Sequence, residues 1–423
     1  MKKVYIDVYG CEEARLEAEK LRKFVRGTAY ECTNDVELAD VIIYYACGHL
    51  QKDEDQSLDT IRKLISQKRN SAKLVVWGCL PKINPQAIES VYNGPKISVE
   101  EWSFFEDLFD QPIEKIYNVH TNRLVIKNKR TDSRSLSVLS LLNILNDAFY
   151  FSDRKIWYIL VEKGCNERCT YCSDRLVFSH LRSEPIPEVV SQIDIGLKCG
   201  FRHFYLVGRD LGSYGHDLNS DLPTLLEKIL ESHPDEDYKL SLYNMSPKSL
   251  VEFHPRLDSL FSSGKIYEIG SHIQSGSERI LRLMGRKVSI RKWLIVMRTI
   301  NNKYPSIRLN SSIMVGFPTE TEQDFDKSLE LIEHPLFDNV DVYKYEERPN
   351  LPSLRLGGRV PEEVKAARRV RMFRHVIFAV AKKKIIKLRI IALIQMLIFY
   401  AIGFCGARVK RKDAGDLQQP SSS

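Results

Sequence analysis

No apolar leader opens this chain. Met1-Lys2-Lys3-Val4-Tyr5-Ile6-Asp7-Val8 has the pattern of a strand with an inward Asp7, so no signal peptide is expected. A secreted-type disulfide framework is missing too. The nine cysteines are clustered, and clustered cysteines in such a chain read as metal ligands in a reducing, cytoplasmic compartment. The ten histidines form no close pair at metal spacing. No Ser/His/Asp or Cys/His arrangement for nucleophilic catalysis stands out. Charge is mild: a net +8, much of it after Arg359, permits nucleic-acid binding without demonstrating it. What remains is ordinary for a folded protein of two or three domains: 423 residues, 43% apolar and 28% charged.

The most informative run is Lys163-Gly164-Cys165-Asn166-Glu167-Arg168-Cys169-Thr170-Tyr171-Cys172, directly after the apolar stretch Ile156-Trp157-Tyr158-Ile159-Leu160-Val161. A strand followed by C-x3-C-x2-C presents three thiolates to one point. Thiolates are soft ligands suited to iron–sulfur clusters or zinc. Structural zinc wants four ligands, and no fourth Cys or His follows at finger spacing. Three ligands leave one iron of a four-iron cluster open to a substrate. The plainer alternative is a surface cysteine loop that binds zinc or nothing.

The amino-terminal third repeats one plan. Strand patterns at Val4–Tyr9, Asp40–Tyr45 and Lys73–Trp77 alternate with helical patterns at about 13–25, 57–67 and after Asn84-Pro85. Continuous apolar runs separated by helices imply a parallel sheet. Each strand runs into a cysteine: Tyr9-Gly10-Cys11, Tyr45-Ala46-Cys47 and Trp77-Gly78-Cys79. A parallel sheet puts all strand carboxyl ends on one edge, so Cys11, Cys47 and Cys79 are expected to meet there. Three buried core thiols are the alternative. Residues from about 96 to 150 read as a connecting arm.

C-x3-C-x-aromatic-C after a strand resembles the radical S-adenosylmethionine (SAM) superfamily, and two three-cysteine sets in this order resemble its methylthiotransferase family. Cys47-Gly48-His49-Leu50 and Gly78-Cys79-Leu80 are similar to the branch that modifies an aspartate of a ribosomal protein. Glu12-Glu13-Ala14-Arg15 after Cys11 departs from the family pattern, which usually has an amide and an Asn there. The resemblance covers roughly residues 4–350. It implies two [4Fe-4S] clusters, one on Cys165, Cys169 and Cys172 and one on Cys11, Cys47 and Cys79. On the first, the open iron chelates SAM, and an electron from the cluster cleaves it to a 5′-deoxyadenosyl radical. The second holds the sulfur to be transferred.

Strand patterns at His203–Val207, Tyr238–Tyr243, Ile266–Ile269, Ile307–Val315 and Val340–Tyr345 alternate with helical ones, as in a partial (β/α)6 barrel with its chemistry at the strand carboxyl ends. The resemblance implies SAM contacts there. Tyr171 lies beside the adenine. Gly208 and Asp210 approach the methionine end. Gln274 and Ser275 open a helix near the ligand. Asn310 and Ser312 line the ribose, and Gly316-Phe317-Pro318 forms the supporting turn. Ser275 follows Gln274 as in the tRNA-modifying branches, so the acceptor stays open between a tRNA adenosine and a ribosomal-protein aspartate. Glu346-Glu347-Arg348 reads as a solvated or substrate-facing edge, and Cys32 and Cys199 as structural or surface thiols.

The expected fold class is α/β: an amino-terminal cluster domain over 1–120, a linker over 121–150, the barrel over 151–350 and a helical, basic tail over 351–423. The tail lacks the TRAM domain usual in the family. Ile390–Ala407 is apolar and flanked by basic residues, at the lower limit of length for a membrane span. It reads as an anchor with membrane contact, a helix buried on the barrel, or an altered terminus. The expected function is methylthio transfer to an unactivated C–H bond by a monomer served by an electron donor such as flavodoxin or ferredoxin. Two alternatives are radical SAM chemistry on a peptide or metabolite without methylthiolation, and a degenerate iron–sulfur paralogue.

Overall fold

The computed structural model describes residues 1–112 and 156–386. The first body is a five-stranded sheet of β1 (Lys2–Val8), β2 (Tyr30–Thr33), β3 (Val41–Ala46), β4 (Lys73–Gly78) and β5 (Lys96–Ser98), ordered β2-β1-β3-β4-β5. All pairings are parallel. Every residue of β3 is buried because helices cover both faces, which explains its unbroken apolar run Val41-Ile42-Ile43-Tyr44-Tyr45-Ala46. This strand order reverses direction between β1 and β3, the place where open α/β sheets hold ligands.

Two short strands, β2 and β5, lie at the sheet edges and were not expected from the sequence. The expected arm from residue 96 begins later: β5 pairs with β4, and the helix Ser103–Phe109 seats Phe105 against Trp77 at 5.3 Å between ring centres. The expected linker over 121–150 lies outside the described residues.

The second body is six parallel strands. They are β6 (Ile156–Leu160), β9 (His203–Val207), β10 (Lys239–Met245), β11 (Ile266–Ser271), β12 (Arg308–Val315) and β13 (Asn339–Lys344), in the order β13-β12-β11-β10-β9-β6. A two-stranded antiparallel ribbon, β7 (Glu162–Lys163) and β8 (Arg182–Ser183), frames the cysteine loop. Helices between the strands pack Val189, Ile193, Leu225, Leu257, Trp293 and Leu329 into one core with them. The helix Pro247–Phe261 was not expected. Its start is nevertheless written in the chain: the Ser246 side chain caps Ser249 N–H and Pro247 takes the first helical position.

The helix over 362–386 confirms the helical reading of the start of the tail. It lies on the barrel, burying Met372, Val376 and Val380, and Lys383 Nζ meets Asp338 Oδ2 at 2.5 Å. The apolar stretch 390–407 lies outside the described residues. Among the described residues no helix is long and apolar enough to cross a membrane.

Candidate functional site

Gly164 opens the barrel's cysteine loop with φ +80°, and an added Cβ would lie 2.5 Å from His180 O, so only glycine makes this turn. The loop is pinned from three sides. Thr170 N–H donates to Met284 O at 2.9 Å, Thr170 Oγ1 donates to Leu283 O at 2.9 Å, and Ser353 N–H donates to Thr170 O at 3.1 Å. Asn166 N–H donates to Ser213 Oγ at 3.2 Å.

Cys165, Cys169 and Cys172 line one open cavity, of about 660 Å³ counted out to its mouth, together with Tyr171 and Asp210. Residues that the sequence reading missed complete the wall: Asp174, Phe178, Arg209, Asn244, Met245, His272 and Arg286. Several lie where strand-end reasoning could have found them, since Arg209, Asn244–Met245 and His272 sit at or just past the carboxyl ends of β9, β10 and β11. Arg286 Nε donates to Tyr171 Oη at 3.0 Å, and the guanidinium also bonds His272 O. Burial works against the Arg286 charge, but the neighbouring Tyr171 and Cys169 push its pKa up. Burial and Arg286 push His272 down to about 4, so it is neutral at pH 7.

Of the expected SAM contacts, Tyr171 and Asp210 line this cavity, whereas Gly208, Gln274, Ser275, Asn310, Ser312, Gly316, Phe317 and Pro318 are not among its lining residues. Gly208 makes room for a neighbour: an added Cβ would stand 2.2 Å from Glu162 Oε1, the atom that accepts Asp210 N–H at 2.8 Å. Asp210 is occupied as a brace, accepting from Gly212 N–H, Ser246 N–H and Ser213 Oγ at 2.8–3.1 Å. Gln274 has φ +75°, strained for a residue with a side chain, and its amide donates to Ser312 Oγ at 2.9 Å. Ser275 is fully buried and accepts from Ser277 N–H at 3.1 Å. Asn310 donates to Glu268 Oε2 at 3.0 Å. Gly316 N–H donates to Glu320, and buried Phe317 backs the Tyr171 ring edge-on at 6.4 Å, with Pro318 buried beside it.

On the first body, the strand register carries the second set of thiols. Val8 pairs with Tyr45 and Ala46 with Gly78, so Cys11, Cys47 and Cys79 leave the ends of three adjacent strands, β1, β3 and β4. Neighbouring strands lie about 4.8 Å apart. Cys47 and Cys79 are buried and Cys11 is exposed. Tyr45 Oη meets Cys79 Sγ at 3.4 Å. Burial pushes the Cys47 thiol up to about 11 and raises the Cys79 thiol well above its ordinary value.

Arg209 stands between the sets. It lines the barrel cavity and pairs with Glu13 Oε2 at 2.7 Å and Asp174 Oδ1 at 3.2 Å, while Nη2 reaches Cys11 Sγ at 3.9 Å. Asp174 Oδ2 accepts from Cys172 Sγ at 3.4 Å, and His49 Nδ1 meets Ser173 Oγ at 2.7 Å. The bodies are thus joined at their cysteine ends. Cys32 and Cys199 lie elsewhere: Cys32 Sγ meets Arg22 O at 3.7 Å and Cys199 is exposed.

Among the described residues, no three His, Cys, Asp or Glu side chains close on a single-ion position. The donor chemistry fits a sulfur-ligated cluster with SAM beside it. The barrel's three thiols share a cavity with the guanidinium groups of Arg175, Arg209 and Arg286, and Glu167 N–H points to Cys165 Sγ at 3.3 Å. Gln274 Oε1, Asn310 Oδ1 and His272 Nδ1 are buried acceptors or donors with no hydrogen-bond partner among the described residues.

The radical SAM superfamily matches residues 159–332, and the family described as Uncharacterized protein family UPF0004 matches residues 3–98. A probable threonylcarbamoyladenosine tRNA methylthiotransferase of Archaeoglobus fulgidus is 29% identical, over 84% of this chain and 78% of that protein. The ribosomal protein uS12 methylthiotransferase RimO of Chlamydia pneumoniae is 27% identical, over 86% and 75%. The chain is thus similar to the radical SAM methylthiotransferases. The radical SAM match implies a [4Fe-4S] cluster and SAM. In fold, the chain is similar to the radical SAM methyltransferase TsrM of Kitasatospora setae, with a TM-score of 0.60 and 11% identity over 84% of this chain and 77% of that one.

Proposed function

We propose that this protein places a methylthio group on an unactivated carbon of a tRNA adenosine or of an aspartate side chain of a ribosomal protein. The observation that carries the reading is the pair of three-cysteine sets at the facing ends of two parallel sheets, bridged by Asp174 and Arg209. In this proposal Cys165, Cys169 and Cys172 hold one [4Fe-4S] cluster with SAM, and Cys11, Cys47 and Cys79 hold a second. When bound, the two clusters supply one-electron reduction of SAM and sulfur for transfer.

The protein's own part is positioning. Arg286 fixes the Tyr171 ring over the cavity and balances thiolate charge at Cys169. Phe317 backs that ring from the core. Asp210 ties the loop after β9 to the end of β10, setting the cavity wall. Neutral His272 and the unpartnered amide oxygens of Gln274 and Asn310 offer uncharged hydrogen-bonding groups, as a ribose and base require. A monomer acting in the cytoplasm, with flavodoxin or ferredoxin as electron donor, completes the proposal.

Relatives named for tRNA threonylcarbamoyladenosine support the adenosine, and the uS12 enzyme supports the aspartate. Mass spectrometry of tRNA nucleosides and ribosomal proteins, from cells with and without the gene, tests this. An adenosine or aspartate should lose one sulfur and one methyl carbon when the gene is removed. No change in either overturns the proposal.

A further inference from the structure

We propose that Arg209 is a positioning residue that keeps the two thiol sets in register and sets the charge felt by the centre on Cys11, Cys47 and Cys79. The inference rests on the proposal that those cysteines hold a cluster. Arg209 follows β9 of the barrel, yet its guanidinium meets groups from both bodies: Glu13 at 2.7 Å, Asp174 at 3.2 Å and Cys11 Sγ at 3.9 Å. Its side chain is only 14% exposed and lies over the Phe178 ring, 5.3 Å from the ring centre. Glu13 is 3% exposed, so the pair is shielded from solvent ions.

The contacts form a continuous chain. Cys172 Sγ reaches Asp174 at 3.4 Å, Asp174 reaches Arg209 at 3.2 Å, and Arg209 reaches Cys11 at 3.9 Å. A planar guanidinium with several donors can serve two carboxylates and a sulfur at once, which a lysine ammonium does not match in geometry. Lys163, another cation of this region, pairs with Glu17 at 2.7 Å. Arg209 therefore compensates Glu13 and Asp174 beside the thiolates. A cation close to a sulfur-ligated cluster favours the more negative, reduced state and makes the reduction potential more positive. Removing it takes the guanidinium partner from both Glu13 and Asp174 and shifts the potential in the negative direction.

The test uses the full chain with Cys165, Cys169 and Cys172 replaced by Ala, so that the first-body centre is read alone after reconstitution with iron and sulfide. Iron content and circular dichroism report loading and folding. Redox titration followed by electron paramagnetic resonance reports the potential. Arg209→Gln should load iron but titrate at a more negative potential, with Arg209→Lys in between. Asp174→Asn, which removes one carboxylate and keeps Arg209, should shift the potential the opposite way and decides the matter if Arg209→Gln does not load. Equal potentials in the parent and the variants that load overturn the role of Arg209 and leave the cluster reading standing. A parent that folds but takes up no iron overturns both.

Discussion

Arg348 and Glu54, 294 residues apart in the chain, form a buried ion pair between the barrel and the first body, with side chains 3% and 6% exposed. Arg348 Nη1 also donates to Gln51 Oε1 at 3.0 Å, and Asn84 Nδ2 reaches both Glu54 oxygens at 3.1 Å. Gln51 N–H donates to Glu346 Oε2 at 2.7 Å. In the run expected to be a solvated or substrate-facing edge, Glu346 and Arg348 instead clasp the first body. Arg348→Met leaves Glu54 charged and unpaired, which costs about 3–5 kcal/mol. Denaturant unfolding of this variant, of Glu54→Gln and of the double variant should give strongly non-additive losses, with the double variant recovering part of the cost. Additive losses would mean the pair does not couple the bodies.

Why that clasp escaped the sequence is physical. A charge's burial depends on what folds over it, and nothing local to Glu54 or Arg348 announces the other. Periodicity carried most of the scaffold: His203–Val207 was read with its observed bounds, and the strands ending before Cys11, Cys47 and Cys79 lie where the apolar runs put them. Tyr30–Thr33 and Lys96–Ser98 were too short to show a period and lie at sheet edges. Pro247–Phe261 was hidden by the internal Pro255. In the cavity, the cysteine spacing was legible, but Arg286 was not. It is brought there by the turn after Glu278–Leu283 and holds Tyr171 from 115 residues away.

Asp324 predicts an acid limit to stability. Burial alone would raise its carboxyl pKa, but hydrogen bonds from Arg279, Ser277 and Thr321 outweigh that and hold it well below the usual carboxylate range. A lowered folded-state value means the unfolded chain takes the proton first as pH falls. The stabilisation is full above the unfolded value of about 3.9 and is lost progressively below it. Asp324→Asn should flatten stability below about pH 4, and Asp324→Ala should cost about 2–4 kcal/mol at neutral pH. Unfolding curves across that range check both. An unchanged acid slope in Asp324→Asn would assign the acid sensitivity elsewhere.

Gly208 gives a steric prediction. A methyl group there displaces Glu162 from Asp210 N–H and loosens the wall that Asp210 braces. Gly208→Ala should lose about 1–3 kcal/mol of stability and weaken SAM binding, measured by calorimetry on the reconstituted protein. Wild-type affinity and stability together would show that Glu162 moves aside without cost.

The account's central claim is a division of labour between the thiol sets, and product analysis of paired cysteine variants tests it most directly. Reconstituted wild type, Cys172→Ala and Cys79→Ala are each given SAM, a reductant, sulfide and unmodified acceptor, and 5′-deoxyadenosine and methylthiolated product are quantified by mass spectrometry. Cys172→Ala should abolish both products. Cys79→Ala should still form 5′-deoxyadenosine while yielding no methylthiolated acceptor, whereas methylthiolation by Cys79→Ala at the wild-type level would contradict the claim.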